Sequence, residues 1–111
     1  KFLKAANDKG VGVTKLDLSQ RRRYRANNAL GVALFVEAME VLARHLPKGL
    51  TSLNLSLNYL GVEAMKVLAP HLPKGLTSLN LARNKLGDEG VKVIAPLLPK
   101  GLTSLDLKDN A

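Results

Sequence analysis

Leu50 to Gly75 reads LTSLNLSLNYLGVEAMKVLAPHLPKG, and Leu76 to Gly101 reads LTSLNLARNKLGDEGVKVIAPLLPKG. The anchors Leu50, Leu76 and Leu102 lie 26 residues apart. A fixed period of about 20–50 residues marks a solenoid, in which each unit buries its apolar face only against its neighbours. Both copies carry Leu-x-x-Leu-x-Leu-x-x-Asn-x-Leu, as Leu50, Leu53, Leu55, Asn58, Leu60 and as Leu76, Leu79, Leu81, Asn84, Leu86. A third copy opens with Leu102, Leu105, Leu107 and Asn110.

Within LTSLNL, apolar and polar residues alternate, the pattern of a strand with one buried face. Leu53 and Leu55 turn inward, and Ser52, Asn54 and Ser56 turn outward. Copies in register form a parallel sheet, because a long crossover separates successive strands. Asn58 and Asn84 follow the strands amid leucines, and their amides can pair with backbone groups that the sheet no longer satisfies. The second half of each copy has helical spacing, with Val62, Met65, Leu68, Ala69 and Leu72 on one stripe and Val91, Ile94, Ala95 and Leu98 on the next. Asp88 and Glu89 suit a helix N-terminus. Pro70 and Pro96 lack an N–H and are predicted to tighten or end the helices. Pro-Lys-Gly triplets starting at Pro47, Pro73 and Pro99 then turn the chain into the next strand.

These motifs resemble the leucine-rich repeat family, and LGDEG after LTSLNL is similar to its ribonuclease-inhibitor-like subclass. The resemblance runs from about Val13 to Ala111. It implies an α/β leucine-rich repeat solenoid, a horseshoe segment of about 3.5 repeats with a concave parallel β-sheet and convex helices. It also implies a binding surface without catalytic activity.

The 111 residues have room for one domain, residues 1–111. With no initial methionine and a last residue just past a strand, the chain reads as a segment of a longer protein. No apolar run is long enough to span a bilayer. Extracellular members of the family that the repeat resembles commonly carry disulfide-stapled caps, so with helical repeats and no cysteine the resemblance implies an intracellular, cytoplasmic protein. The first copy is irregular. Its strand holds Val13, Leu16 and Leu18, yet Leu16 and Leu53 are 37 residues apart. The added residues are QRRRYRANNAL, a basic insertion at 20–30, with Arg21 where Asn is expected. The following helix is predicted to begin early, with Asn28 as its N-cap. Of the formal net charge of +8, the first thirty residues hold +6.

Arg21, Arg22, Arg23, Tyr24 and Arg25 are the main departure from the repeat. They read as a solvated loop, as a site for carboxylates of an acidic protein, or as a site for phosphates and a stacked base. On the sheet face the outward columns are Lys15, Ser52, Ser78, Ser104 and Asp17, Asn54, Asn80, Asp106. Beyond them come Ser19, Ser56, Ala82, Lys108 and then Gln20, Leu57, Arg83, Asp109, with Tyr59 and Lys85 past the strand ends. Tyr59 and Arg83 lead as contact residues, because Tyr and Arg are enriched at hot spots.

Catalysis fits poorly. Asp17 and Asp106, three strand spacings apart, are separated by about 14 Å, too far for paired carboxylates acting on one bond. His45 and His71 share a repeat position, but Leu97 takes it in the third copy, and zinc needs about four ligands. No cofactor or metal is expected. The expected partner is another protein with an acidic patch. RNA or another polyanion on the basic first repeat is the alternative. Self-association through the exposed C-terminal repeat edge is a further expectation.

Overall fold

The computed structural model describes residues 13–19 and 29–110. Strand β1 (Lys15–Asp17) is followed by helix α1 (Ala29–Arg44), β2 (Ser52–Asn54), α2 (Gly61–Leu68), β3 (Ser78–Asn80), α3 (Gly87–Ile94) and β4 (Ser104–Asp106). The strands form one sheet in the order β1-β2-β3-β4, with parallel neighbours. This is the α/β solenoid that the period predicts. Leu16, Leu53, Leu79 and Leu105 stand in register across the sheet, with Lys15, Ser52, Ser78 and Ser104 on one side and Asp17, Asn54, Asn80 and Asp106 on the other.

The interior faces meet in one core. Leu50, Leu53 and Leu55 of one repeat and Leu76, Leu79 and Leu81 of the next are buried, and Ala64, Met65, Leu68 and Ile94 close over them from the helices. Pro70 and Pro96 act as predicted. Helices α2 and α3 each pass into a turn of 3-10 helix, Ala69–His71 and Ala95–Leu97, with the proline in its first turn. A residue without an N–H cannot continue the α ladder but is tolerated at the start of a new turn.

Burial falls off along the stack. Helix α2 packs against both α1 and α3, and Met65, Leu68, Ala69 and Leu72 are buried, with Val62 half-buried. In the next repeat Ile94 is buried, Val91 and Leu98 are half-buried, and Ala95 is exposed. A solenoid unit is covered only by its neighbours, so the same stripe buries less when one side is open. Gly90 occupies the repeat position of Ala64. A Cβ there would lie 3.0 Å from Leu86 Cβ and 3.2 Å from Val62 Cγ2, so the glycine lets α3 close against α2.

The first repeat differs in its helix. Helix α1 has 16 residues, against 8 in each of α2 and α3. Part of the added length is therefore helical, because α1 starts at Ala29, inside the stretch 20–30. Asn28, expected as its cap, lies outside the described residues.

Leu79 is 1% exposed and Leu105 40%, although both hold the same place in register. Leu79→Ala is expected to cost about 2–5 kcal/mol, and Leu105→Ala less than half as much. Urea unfolding of the two variants checks this, and equal losses would show that burial in the stack does not set the cost.

Candidate functional site

Each strand is only three residues long, and the chain must then turn out toward its helix. The backbone groups of that turn are paired across repeats. The N–H of Leu57 donates to the Ala82 carbonyl (3.0 Å) and that of Gly61 to the Asn84 carbonyl (2.9 Å). In the next repeat, the N–H of Arg83 donates to the Lys108 carbonyl (2.9 Å) and that of Gly87 to the Asn110 carbonyl (2.6 Å).

The motif asparagines do the rest. Asn84 is fully buried. Its Oδ1 accepts the N–H groups of Asn58 (2.9 Å) and Leu60 (3.3 Å) from the preceding repeat. Its Nδ2 donates to the carbonyls of Leu55 (2.9 Å), Leu81 (3.1 Å) and Ala82 (3.3 Å). Asn110 does the same for Asn84 N–H and Leu86 N–H, and donates to Leu81, Leu107 and Lys108. Asn58 donates to Leu18, Leu55 and Ser56. The asparagines are structural, as the sequence reading holds.

A second ladder, which sequence reasoning missed, runs along the opposite edge, where the chain enters the strands. The hydroxyls of Thr51, Thr77 and Thr103 donate to the carbonyls of Thr14, Thr51 and Thr77, at 3.1, 3.1 and 3.2 Å. The signal was a Thr recurring at the repeat period. We call this the leading edge, and the edge from which the chain leaves the strands the trailing edge.

The sheet face between the edges carries the predicted columns. Asp17, Asn54, Asn80 and Asp106 are brought into one row. Each also braces the turn after its strand. Asn54 Oδ1 accepts the N–H of Ser56 at 3.0 Å, Asn80 Oδ1 that of Ala82 at 3.0 Å, Asp106 Oδ1 that of Lys108 at 2.9 Å and Asp17 Oδ1 that of Ser19 at 2.9 Å. A backbone N–H requires an acceptor, which fixes the orientation of both asparagine amides. Ser56, expected to face outward, is buried at 8% exposure, and its hydroxyl donates to Asn54 Oδ1 at 2.8 Å. The turn folds it back against the chain.

On the trailing edge Leu57, Tyr59, Arg83, Lys85 and Asp109 all have positive φ, between 50° and 62°. Gly61 and Gly87 follow at 70° and 65°. Alternate left-handed residues swing the chain out of the sheet plane, and their side chains form a rim. Tyr59 is 40% exposed. Arg83 Nε pairs with Asp109 Oδ2 at 3.2 Å, linking adjacent repeats. Lys15 is exposed on β1, Lys108 just after β4 and Lys85 on the rim.

Arg21, Arg22, Arg23, Tyr24 and Arg25 lie outside the described residues, as does Gln20. His45 Nδ1 lies 2.8 Å from the Val41 carbonyl. Among the described residues, no group of three or more His, Cys, Asp or Glu side chains gathers to hold a metal. No helix among them is long and apolar enough to cross a membrane. A cavity of about 320 Å³ opens beside α1, walled by Leu18, Phe35, Met39, Leu42, Leu55 and Leu60. Among the described residues its lining offers no acid, base or nucleophile.

Comparison with known proteins agrees with this geometry. The family model described as "Leucine Rich repeat" matches residues 50–69 and 76–95. The crystal structure of the leucine-rich repeat-containing protein LegL7 from Legionella pneumophila is similar, with a TM-score of 0.61 and 30% sequence identity over 89% of this chain. The chain spans 30% of the length of that protein. No curated protein sequence matches it. The repeat, the asparagine ladder and these likenesses support a leucine-rich repeat protein.

Two variants test the site's framework. Asn84→Ala strands two buried N–H groups and should cost about 2–5 kcal/mol. Lys85→Val forces a β-branched residue into the left-handed region and should cost about 1–2 kcal/mol, whereas Lys85→Asn should stay within about 0.5 kcal/mol. Denaturant melts read both, and a harmless Lys85→Val would contradict the assigned backbone.

Proposed function

We propose that the chain is a protein–protein interaction module, a scaffold or recognition segment without catalytic activity. The observation that carries this is the row of outward side chains, Asp17, Asn54, Asn80 and Asp106, held in register by the sheet. Leucine-rich repeat proteins generally bind other proteins, and the rim adds Tyr59, Arg83, Lys85 and Leu57 as larger contact groups. The columns themselves are small and polar, so affinity is concentrated at the rim and at the arginines of the insertion. A partner with an acidic patch matches the charge of Arg21, Arg22, Arg23 and Arg25.

Affinity capture with the full chain supplies the partner, and two variants then test the reading. On the reading of a solvated loop, replacing Arg21, Arg22, Arg23 and Arg25 by Ser should leave the melting temperature nearly unchanged, within about 0.5 kcal/mol. It should weaken the captured protein by about 0.5–3 kcal/mol. Asn80→Asp keeps the turn, because Asp106 makes the same bond to its own turn, and replaces an outward amide by a carboxylate. It should also weaken binding to an acidic partner. If both variants bind as tightly as the parent chain, recognition lies elsewhere. Capture of RNA, with an affinity that falls steeply with salt, would favour a polyanion on the first repeat instead.

A further inference from the structure

The leading edge carries a feature that the concave reading does not use. Lys48, Lys74 and Lys100 occupy one repeat position in the Pro-Lys-Gly turns. The turns are alike: Leu50, Leu76 and Leu102 donate to the carbonyls of Pro47, Pro73 and Pro99 at 3.3, 3.1 and 3.3 Å. Three residues after each lysine, the Thr ladder locks the repeats together. The lysines therefore recur in one column, one per repeat, and all three are exposed.

Among the described residues no ion pair opposes their charges. The ion pairs among the described residues join Arg44 to Glu40, Lys66 to Glu63 and Arg83 to Asp109, and none involves this column. From residue 45 to residue 110 the carboxylates are Glu63, Asp88, Glu89, Asp106 and Asp109. Glu63, Asp88 and Glu89 lie in the first helical turns, and Asp106 and Asp109 end or follow β4. All five belong to the trailing side. His45 and His71, both exposed, add further basic groups beside the column.

We propose that this column is a docking edge for an acidic polypeptide segment in extended conformation, with carboxylates at every second position. The spacing supports it. Neighbouring strands lie about 4.8 Å apart and stacked helices about 8–10 Å apart, and the turns sit between the two layers. Alternate residues of an extended chain lie about 6.6–6.8 Å apart on one face, inside that interval. The described Phe and Tyr residues are Phe35, half-buried in α1, and Tyr59, on the trailing edge, so among the described residues this edge offers only the imidazoles of His45 and His71 for stacking bases. The surface is separate from the concave columns and stands or falls independently of them.

NMR titration of the full chain at low salt tests it, with side-chain resonances of the three lysines as the readout. The probes are a short peptide of alternating glutamate and serine, one of the same composition with its glutamates in adjacent pairs, and oligouridylate. The alternating peptide should bind most tightly and shift Lys48, Lys74 and Lys100. Changing all three to Gln should weaken it about fivefold. The charge-matched change of Lys66, Lys92 and Lys108 to Gln should weaken it less than about twofold. Equal losses in the two variants would reduce the effect to overall charge, and equal affinity for the two peptides would remove the spacing argument. Tighter binding of oligouridylate than of either peptide would overturn the choice of partner. A failure here leaves Asn80 and the arginines of the insertion as a separate test of the concave reading.

Discussion

The structure depends on a buried amide that serves two repeats at once. A three-residue strand has little ladder of its own, and the chain must leave the sheet before its next backbone groups find partners. Asn84 takes two N–H groups from the repeat before it and gives its own hydrogens to carbonyls of both repeats. No repeat can satisfy its turn alone. Hydrophobic burial follows the same rule, since Leu53 and Leu79 are closed off only by neighbours. Polar satisfaction and apolar burial are thus coupled at one spacing, and stability grows with each unit added.

That coupling gives the surface its order. The Asn ladder on one edge and the Thr ladder on the other hold the strands so that outward side chains stand in rows. The edges then differ in chemistry. The trailing side holds the carboxylates of β2 onward and their ion pairs, and the leading side holds lysines without partners among the described residues. Two surfaces of different charge are separated by the width of a short sheet.

Much of this was legible in the sequence, where a residue's role depends on its repeat. The 26-residue period, the parallel register and the amide role of Asn58 and Asn84 follow from spacing and side-chain chemistry. So do the 3-10 turns at Pro70 and Pro96, because a missing N–H is a local property. Ser56 was misread. Strict alternation places it outward, but alternation ends where Asn54 bends the chain, and the hydroxyl turns back to that amide. The early start of α1 was legible as well, although Ala29 and Leu30, counted with the insertion, belong to the helix. The Thr ladder and the lysine column were in plain view as recurrences but read only as strand and turn residues. Their meaning requires knowing that the repeats stack without offset.

The rim has one more consequence. Five of its positions, Leu57, Tyr59, Arg83, Lys85 and Asp109, are left-handed without being glycine. Such a backbone excludes Val, Ile and Thr far more strongly than it excludes flexible, aromatic or amide side chains. Whatever the rim binds must therefore be read with a reduced alphabet, in which variation is free in charge and length but closed to branching at Cβ. A combinatorial library on this scaffold would inherit the same grammar, and diversity spent on branched residues there would be lost to folding before selection began.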